Sequence, residues 1–288
     1  MEVLRFDEPG AFLERAMPLL APDHDGEARH NLILGIARSV GDHPGLYSAF
    51  RAWVATRDGH PLAAATRTPP FRAVLADPLT PEALDAVIDA LAEDDPQTPG
   101  VVGNVPHVHR AAERWTERTG GGAEVTQEQG VYALLQVETV PPAPGRARPA
   151  TRTDRDLLLG WISDFADEAT HGPPDEPGIL ERMLDVRLGA DADEAGYWLW
   201  EDEGVAVSLC GYMSPTPTGM RVGPVYTPPE HRRRGYATIL VAELSRWLLG
   251  RGHHACYLYT DLANPTSNAI YARIGYGRVA DSVEYRFT

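Results

Sequence analysis

Val225-Tyr226-Thr227-Pro228-Pro229-Glu230-His231-Arg232-Arg233-Arg234-Gly235-Tyr236-Ala237-Thr238 is the stretch on which the fold turns. Its first three residues close a strand begun at Arg221, and the two prolines end it because neither can donate to a ladder. From Gly235 onward, Ile239, Leu240, Leu244, Trp247 and Leu248 recur at helical spacing, so a helix over 235–249 starts at the glycine. The first turn of a helix offers N–H groups without an intrahelical acceptor and a partial positive charge, which suits phosphate. Gly235 and the small Ala237 let a ligand approach the backbone, and Arg232, Arg233 and Arg234 add charge where a pyrophosphate would lie.

Outward from this junction the chain alternates strands and helices. Downstream come a strand over 255–260, a short helix over 268–274 ending at Gly275, and a closing strand over 284–287. Upstream lie helices over 154–169 and 179–188 and strands over 197–200 and 205–213. Residues 138–150 hold four prolines and a glycine, the composition of a linker, which divides the chain into an N-terminal domain, 1–140, and a second domain, 148–288. In the first, strands flank Asp58-Gly59, Thr80-Pro81-Glu82 opens a helix carrying Leu84, Val87, Ile88 and Leu91, and a strand at 100–105, a helix at 108–119 and a strand at 130–137 follow. Both halves read as α+β, helices packed on a mixed sheet, and their repeated order suggests two copies of one fold.

Composition excludes several functions. The chain has 288 residues and no lysine: all 26 basic residues are arginine. A Schiff base, a pyridoxal phosphate anchor and a Walker lysine are therefore ruled out. With 41 acidic residues and a net charge of −15, a nucleic-acid partner is not expected. The charge is uneven: residues 154–203 carry −12, whereas 204–288 carry +4. No apolar run is long enough for a membrane span and no signal peptide is visible, which predicts a cytoplasmic protein. Cys210 and Cys256 lack metal or redox spacing and read as buried strand residues, and His107-x-His109 lacks a third ligand, so no metal is expected.

Arg232-Arg233-Arg234-Gly235-Tyr236-Ala237 resembles the Arg/Gln-x-x-Gly-x-Gly/Ala signature of the GNAT N-acetyltransferase superfamily. Asn264-Pro-Thr-Ser-Asn-Ala-Ile-Tyr271-Ala-Arg-Ile-Gly275-Tyr276 is similar to the Asn-x6-Tyr-x3-Gly-Phe/Tyr element found downstream of it. Val-Tyr-Thr-Pro-Pro at 225–229 and Tyr-Thr-Asp-Leu-Ala-Asn at 259–264 resemble the glycine-N-acyltransferase-like branch. The resemblance covers about residues 148–288. It implies acetyl-CoA as co-substrate, an amine acceptor in a small molecule or peptide, and direct transfer. It further implies that the amides from Arg233 to Thr238 bind the pyrophosphate, that Val225, Tyr226 and Thr227 pair by their backbones with the acetyl carbonyl and pantetheine, that Asn264 contacts the pantetheine arm, and that Tyr271 protonates the leaving thiolate. A phenol of pKa ~10 is protonated at neutral pH and can serve as that donor.

The first half departs from this pattern. Between Leu75 and Pro81 it offers no signature, and Asp77 would repel a pyrophosphate, so residues 1–137 read as a degenerate copy without cofactor. Strand 221–227 holds no glutamate to act as general base; Glu168, His171, Glu201, Glu203 and Glu230 are candidates by region. The −12 segment suggests a cationic acceptor steered by acids. Two other readings fit the same residues, a non-catalytic acyl-CoA-binding protein and a transferase of longer acyl groups. The acceptor pocket has no transferable motif and nothing sets an oligomeric state.

Overall fold

A computed structural model describes residues 1–169 and 176–288. In chain order its elements are β1 (Glu2–Phe6), α1 (Pro9–Leu20), α2 (His24–Arg29), α3 (Asn31–Asp42), β2 (Arg51–Arg57), β3 (His60–Arg67), β4 (Ala73–Leu75), α4 (Pro81–Asp94), β5 (Gly100–Asn104), α5 (His107–Thr119), β6 (Ala123–Leu134), β7 (Arg146–Pro149), α6 (Arg155–Ala169), α7 (Ile179–Gly189), β8 (Gly196–Asp202), β9 (Val205–Met213), β10 (Gly219–Tyr226), α8 (Tyr236–Gly250), β11 (Ala255–Asp261), α9 (Pro265–Ile274) and β12 (Gly277–Phe287). They form two compact units: Met1–Val131 with Arg278–Thr288, and Tyr132–Gly277. In each, helices flank a mixed sheet, the expected α+β class.

The first unit orders its strands β1-β2-β3-β4-β5-β12, with the start of β6 after them. Asp58 (φ 51°) and Gly59 (φ 78°) turn the β2–β3 hairpin, both in the left-handed region that a two-residue loop requires. The Thr80 hydroxyl accepts the Ala83 N–H at 3.2 Å and Pro81 fills the first turn, so α4 starts where its sequence says. Leu84, Val87, Ile88 and Leu91 of α4 pack on Trp53, Ala55, Ala63 and Ala65, one face of β2 and β3. Phe12, Leu20, Ile33 and Leu34 of α1 and α3 cover Val54, Ala64 and Val74 on the other. The last strand lies here too: β12 runs antiparallel to β5 from Ser282↔Asn104 to Arg286↔Gly100. The expected segment 148–288 thus ends in residues that lie in the first unit.

The second unit orders its strands β7-β8-β9-β10-β11, with the end of β6 beside β11. β7 lies inside the stretch read as linker and, among the described residues, pairs antiparallel with β8 alone, an edge position that tolerates Pro149. Strand β8 alternates cleanly. Trp198 and Trp200 join Tyr236 and Leu240 on the α8 face, and Tyr197 and Leu199 join Leu158, Ile162 and Leu184 on the face of α6 and α7. Both tryptophans therefore belong to the core. Cys210 and Cys256 are fully buried, in β9 and β11. None of the described helices is long and apolar enough to cross a membrane.

Candidate active site

The site is built on β10. Against β9 its register runs Arg221↔Met213 and Val222↔Tyr212, then resumes as Val225↔Cys210 and Tyr226↔Leu209. Gly223 and Pro224 thus stand opposite Gly211 alone, a bulge in which Pro224 has no N–H and Gly223 sits at φ 141°. On its other side β10 runs parallel to β11 only from Gly219↔Ala255 to Arg221↔Tyr257 among the described residues. Past Arg221, every second residue of β10 turns its backbone groups toward the side that β11 has left. Arg187 of α7 fixes the bulge: its guanidinium donates to the Gly223 carbonyl at 3.2 Å and the Tyr197 hydroxyl at 3.1 Å. Nothing in the sequence singles out Arg187, because its acceptor carbonyl turns outward only at the bulge.

The strand leads to the N-terminus of α8. Gly235 caps the helix at φ 84°, and Arg233 is also left-handed at φ 62°. The first helical hydrogen bond runs from Ile239 N–H to the Gly235 carbonyl at 3.1 Å, leaving the amides of Tyr236, Ala237 and Thr238 without an intrahelical acceptor. No side chain caps this end. A Cβ on Gly235 would find only Ala143, at 3.9 Å. Arg232, Arg233 and Arg234 are exposed, and among the described residues Arg233 and Arg234 have no carboxylate partner. Tyr236 is buried and donates its hydroxyl to Asp202 at 2.5 Å, tying the helix start to the end of β8; that bond and burial push the phenol's pKa up. Open amides, a left-handed glycine and guanidinia without a carboxylate partner fit a pyrophosphate.

On α9, Asn264 caps the helix by accepting the Ser267 N–H at 3.1 Å, with Pro265 in the first turn. Tyr271 is buried, 8% exposed, with its ring edge-on to Tyr276 at 5.9 Å. Burial, with the Cys210 thiol adding to it, pushes its pKa well up and keeps the phenol neutral. Tyr271 and Tyr236 share one core cluster, and Val225 packs against it, so the structure brings these three expected site residues to the α8 face. Tyr226 points the other way, into the cluster of α6 and α7. Thr227 uses its hydroxyl on Ser208 at 2.9 Å and its carbonyl on Arg232 at 2.8 Å.

The candidate bases sort by their partners. Glu168 holds Arg232 by both carboxylate oxygens, at 2.9 and 2.6 Å. The Tyr226 hydroxyl lies 3.5 Å from Glu168 and 3.5 Å from Asp164, a second acid that the regional reading passed over. Glu201 is bound by Arg148 and Arg146, which hold its carboxyl below the usual range and make it a poor base. Glu203 sits in the β8–β9 turn and Glu230 on a single exposed turn, and His171 lies outside the described residues. Within the −12 segment, Asp154, Glu168, Glu176, Asp185, Asp193 and Glu201 all pair with arginines. Much of the charge that suggested long-range steering is thus neutralised locally.

The β4–α4 junction of the first unit contrasts with this. β4 pairs with β5 as far as Val74↔Val102, and a Cβ on Gly103 would lie 3.1 Å from the Leu75 Cβ, so Leu75 still packs closely on β5 one residue further on. Asp77 takes two bonds from Arg29, at 2.8 and 2.6 Å, and its N–H donates to His30 at 3.0 Å. His30 donates in turn to the Leu20 carbonyl at 2.9 Å, and burial pushes its pKa down. Thr80 and Pro81 already satisfy the start of α4.

Residues 159–276 match the model of the Acetyltransferase (GNAT) family. Comparison with curated proteins finds no match. Among solved structures, the chain is similar to a GCN5-related N-acetyltransferase from Sphaerobacter thermophilus, with 18% identity and a TM-score of 0.60 over 99% of this chain and 95% of that one. It is also similar to a GNAT-family acetyltransferase from Colwellia psychrerythraea, at 11% identity and a TM-score of 0.58 over 100% of both chains. A tandem GNAT protein of the clavulanic acid biosynthesis pathway matches 100% of this chain with 98% of its own, at 12% identity and a TM-score of 0.60. At these identities the structures speak for the fold, and the tandem protein does so for the whole length. The family match spans the bulged strand, the open helix terminus and α9.

Proposed function

We propose that the second unit is an acetyl-CoA-dependent N-acetyltransferase that moves an acetyl group directly to an amine of a small molecule or peptide. One observation carries this reading: an unpaired strand edge, an uncapped helix terminus and a buried neutral phenol converge around β10. The amides of residues 233–238, with Arg233 and Arg234, hold the pyrophosphate. Backbone groups of Val225, Tyr226 and Thr227 hold the pantetheine and the acetyl carbonyl, and an N–H there faces the oxygen on which negative charge develops. Asn264 contacts the pantetheine arm. Bound acetyl-CoA supplies a thioester carbonyl open to attack. As the amine forms its bond to that carbon and the C–S bond breaks, the Tyr271 hydroxyl donates to the departing sulfur. The amine's own proton leaves to a carboxylate or to solvent.

Tyr226, Asp164 and Glu168 face the acceptor from the α6 side and favour a cationic amine. The residues at 225–229 and 259–264 support a glycine-N-acyltransferase-like branch within the family. The first unit is best read as a copy without coenzyme, its junction closed by Leu75 and filled by Arg29 and Asp77. A thiol-release screen over amines, amino acids, peptides and aminoglycosides with acetyl-CoA tests the reading: at least one amine should release thiol and appear as its acetamide. Failure of every class would remove it.

A further inference from the structure

We infer that Glu168 and the pyrophosphate of coenzyme A compete for Arg232, so that coenzyme uptake breaks the Arg232–Glu168 pair and exposes the Glu168 carboxylate beside Tyr226; this rests on the coenzyme site proposed above. Of the three consecutive arginines, Arg232 alone is taken up by a carboxylate among the described residues. Its Nη2 donates to both oxygens of Glu168, at 2.9 and 2.6 Å, its Nε donates to the Thr227 carbonyl at 2.8 Å, and its guanidinium lies 5.7 Å from the Tyr226 ring centroid. The pair ties the side chain to α6, whereas Arg233 and Arg234, beside the α8 terminus, have no carboxylate partner among the described residues.

Exposure marks this pair as exchangeable. Arg232 and Glu168 are 41% and 47% exposed, so water screens their attraction, and a pyrophosphate held by several amides can outcompete one carboxylate. Glu168 occupies the last turn of α6, where the helix dipole disfavours an acid and the turn itself holds no basic residue. Arg232 is what stabilises it there. Once the guanidinium leaves, the carboxylate faces the Tyr226 hydroxyl at 3.5 Å, next to a second acid, Asp164.

Calorimetric titration of coenzyme A tests the exchange, with pantetheine, which lacks the pyrophosphate, as the control probe. Glu168→Gln and Glu168→Ala should each bind coenzyme A more tightly than the unmodified protein, by roughly two- to fivefold, the worth of an exposed ion pair. Arg232→Ala should bind it more weakly, and adding Glu168→Gln to Arg232→Ala should change nothing further. Pantetheine affinity should be the same in all of them. A merely structural role for the pair predicts the opposite sign, weaker coenzyme binding in the Glu168 variants. Unchanged or weaker binding there overturns the competition while leaving the coenzyme site in place. If the unmodified protein binds no coenzyme A, the proposed function fails and the competition with it.

Discussion

Tyr271 and Gly235 make demands that a single substitution can test. Tyr271→Phe keeps the ring packed on Tyr276 and removes only the hydroxyl, so kcat should fall about 10²-fold or more while coenzyme A affinity in calorimetry stays unchanged. Equal loss of affinity would make Tyr271 a packing residue. The buried phenol also sets a pH expectation. Its folded pKa is raised, so below pH ~10 both folded and unfolded chains carry the neutral form. Above that the unfolded chain loses its proton first and stability falls, and no alkaline limb of kcat below pH ~10 should belong to Tyr271. Gly235 stands at φ 84°, so Gly235→Ala should cost about 1 kcal/mol in denaturant unfolding. Gly235 was legible as a helix start from the apolar stripe that follows it, and Tyr271 was singled out by the resemblance of residues 264–276 to the Asn-x6-Tyr-x3-Gly-Phe/Tyr element. Arg187 was not: its role depends on a carbonyl that turns outward only because Gly223 and Pro224 interrupt the ladder.

Elements were legible where capping chemistry and hydrophobic period agreed. For α4, Thr80, Pro81 and the stripe from Leu84 to Leu91 all point one way; α9 begins at Pro265 rather than at 268 because Asn264 caps it. β7 was hidden in a Pro- and Arg-rich segment, since an edge strand buries little and needs no alternation of its own. The helices and strand of the first fifty residues gave no comparable signal: Pro18 lies inside α1, and α3 contains Gly35 and Gly41. β7 is held by charge. Arg148 binds Asp154 at 2.8 and 2.9 Å and Glu201 at 3.0 Å, and this pairing lowers the Asp154 pKa to about 2. Because the folded value is depressed, the stabilisation is present above pH ~4 and is lost as pH falls toward 2. Asp154→Asn should therefore lower unfolding stability by about 1 to 2 kcal/mol at pH 7 and shift it far less at pH 2.

At the scale of the whole molecule, a chain without lysine would hold a phosphate, as proposed, with arginine and backbone amides. Arginine pairs with acids throughout both units, and at residues 233 and 234 it has no carboxylate partner among the described residues. The two-copy pattern was readable in the order of strands and helices; the assignment of residues 278–288 to the first unit was not, because strand pairing is a long-range choice that local periodicity does not encode. The units differ where function would be decided, since Leu75 and the Arg29–Asp77 pair fill the β4–α4 junction while the start of α8 is without a side-chain cap among the described residues. Calorimetric titration of acetyl-CoA into the intact protein and into Gly235→Glu tests this most directly. The expected result is one acetyl-CoA bound per chain and none bound by the variant; two per chain, none in the unmodified protein, or undiminished binding in Gly235→Glu would contradict it.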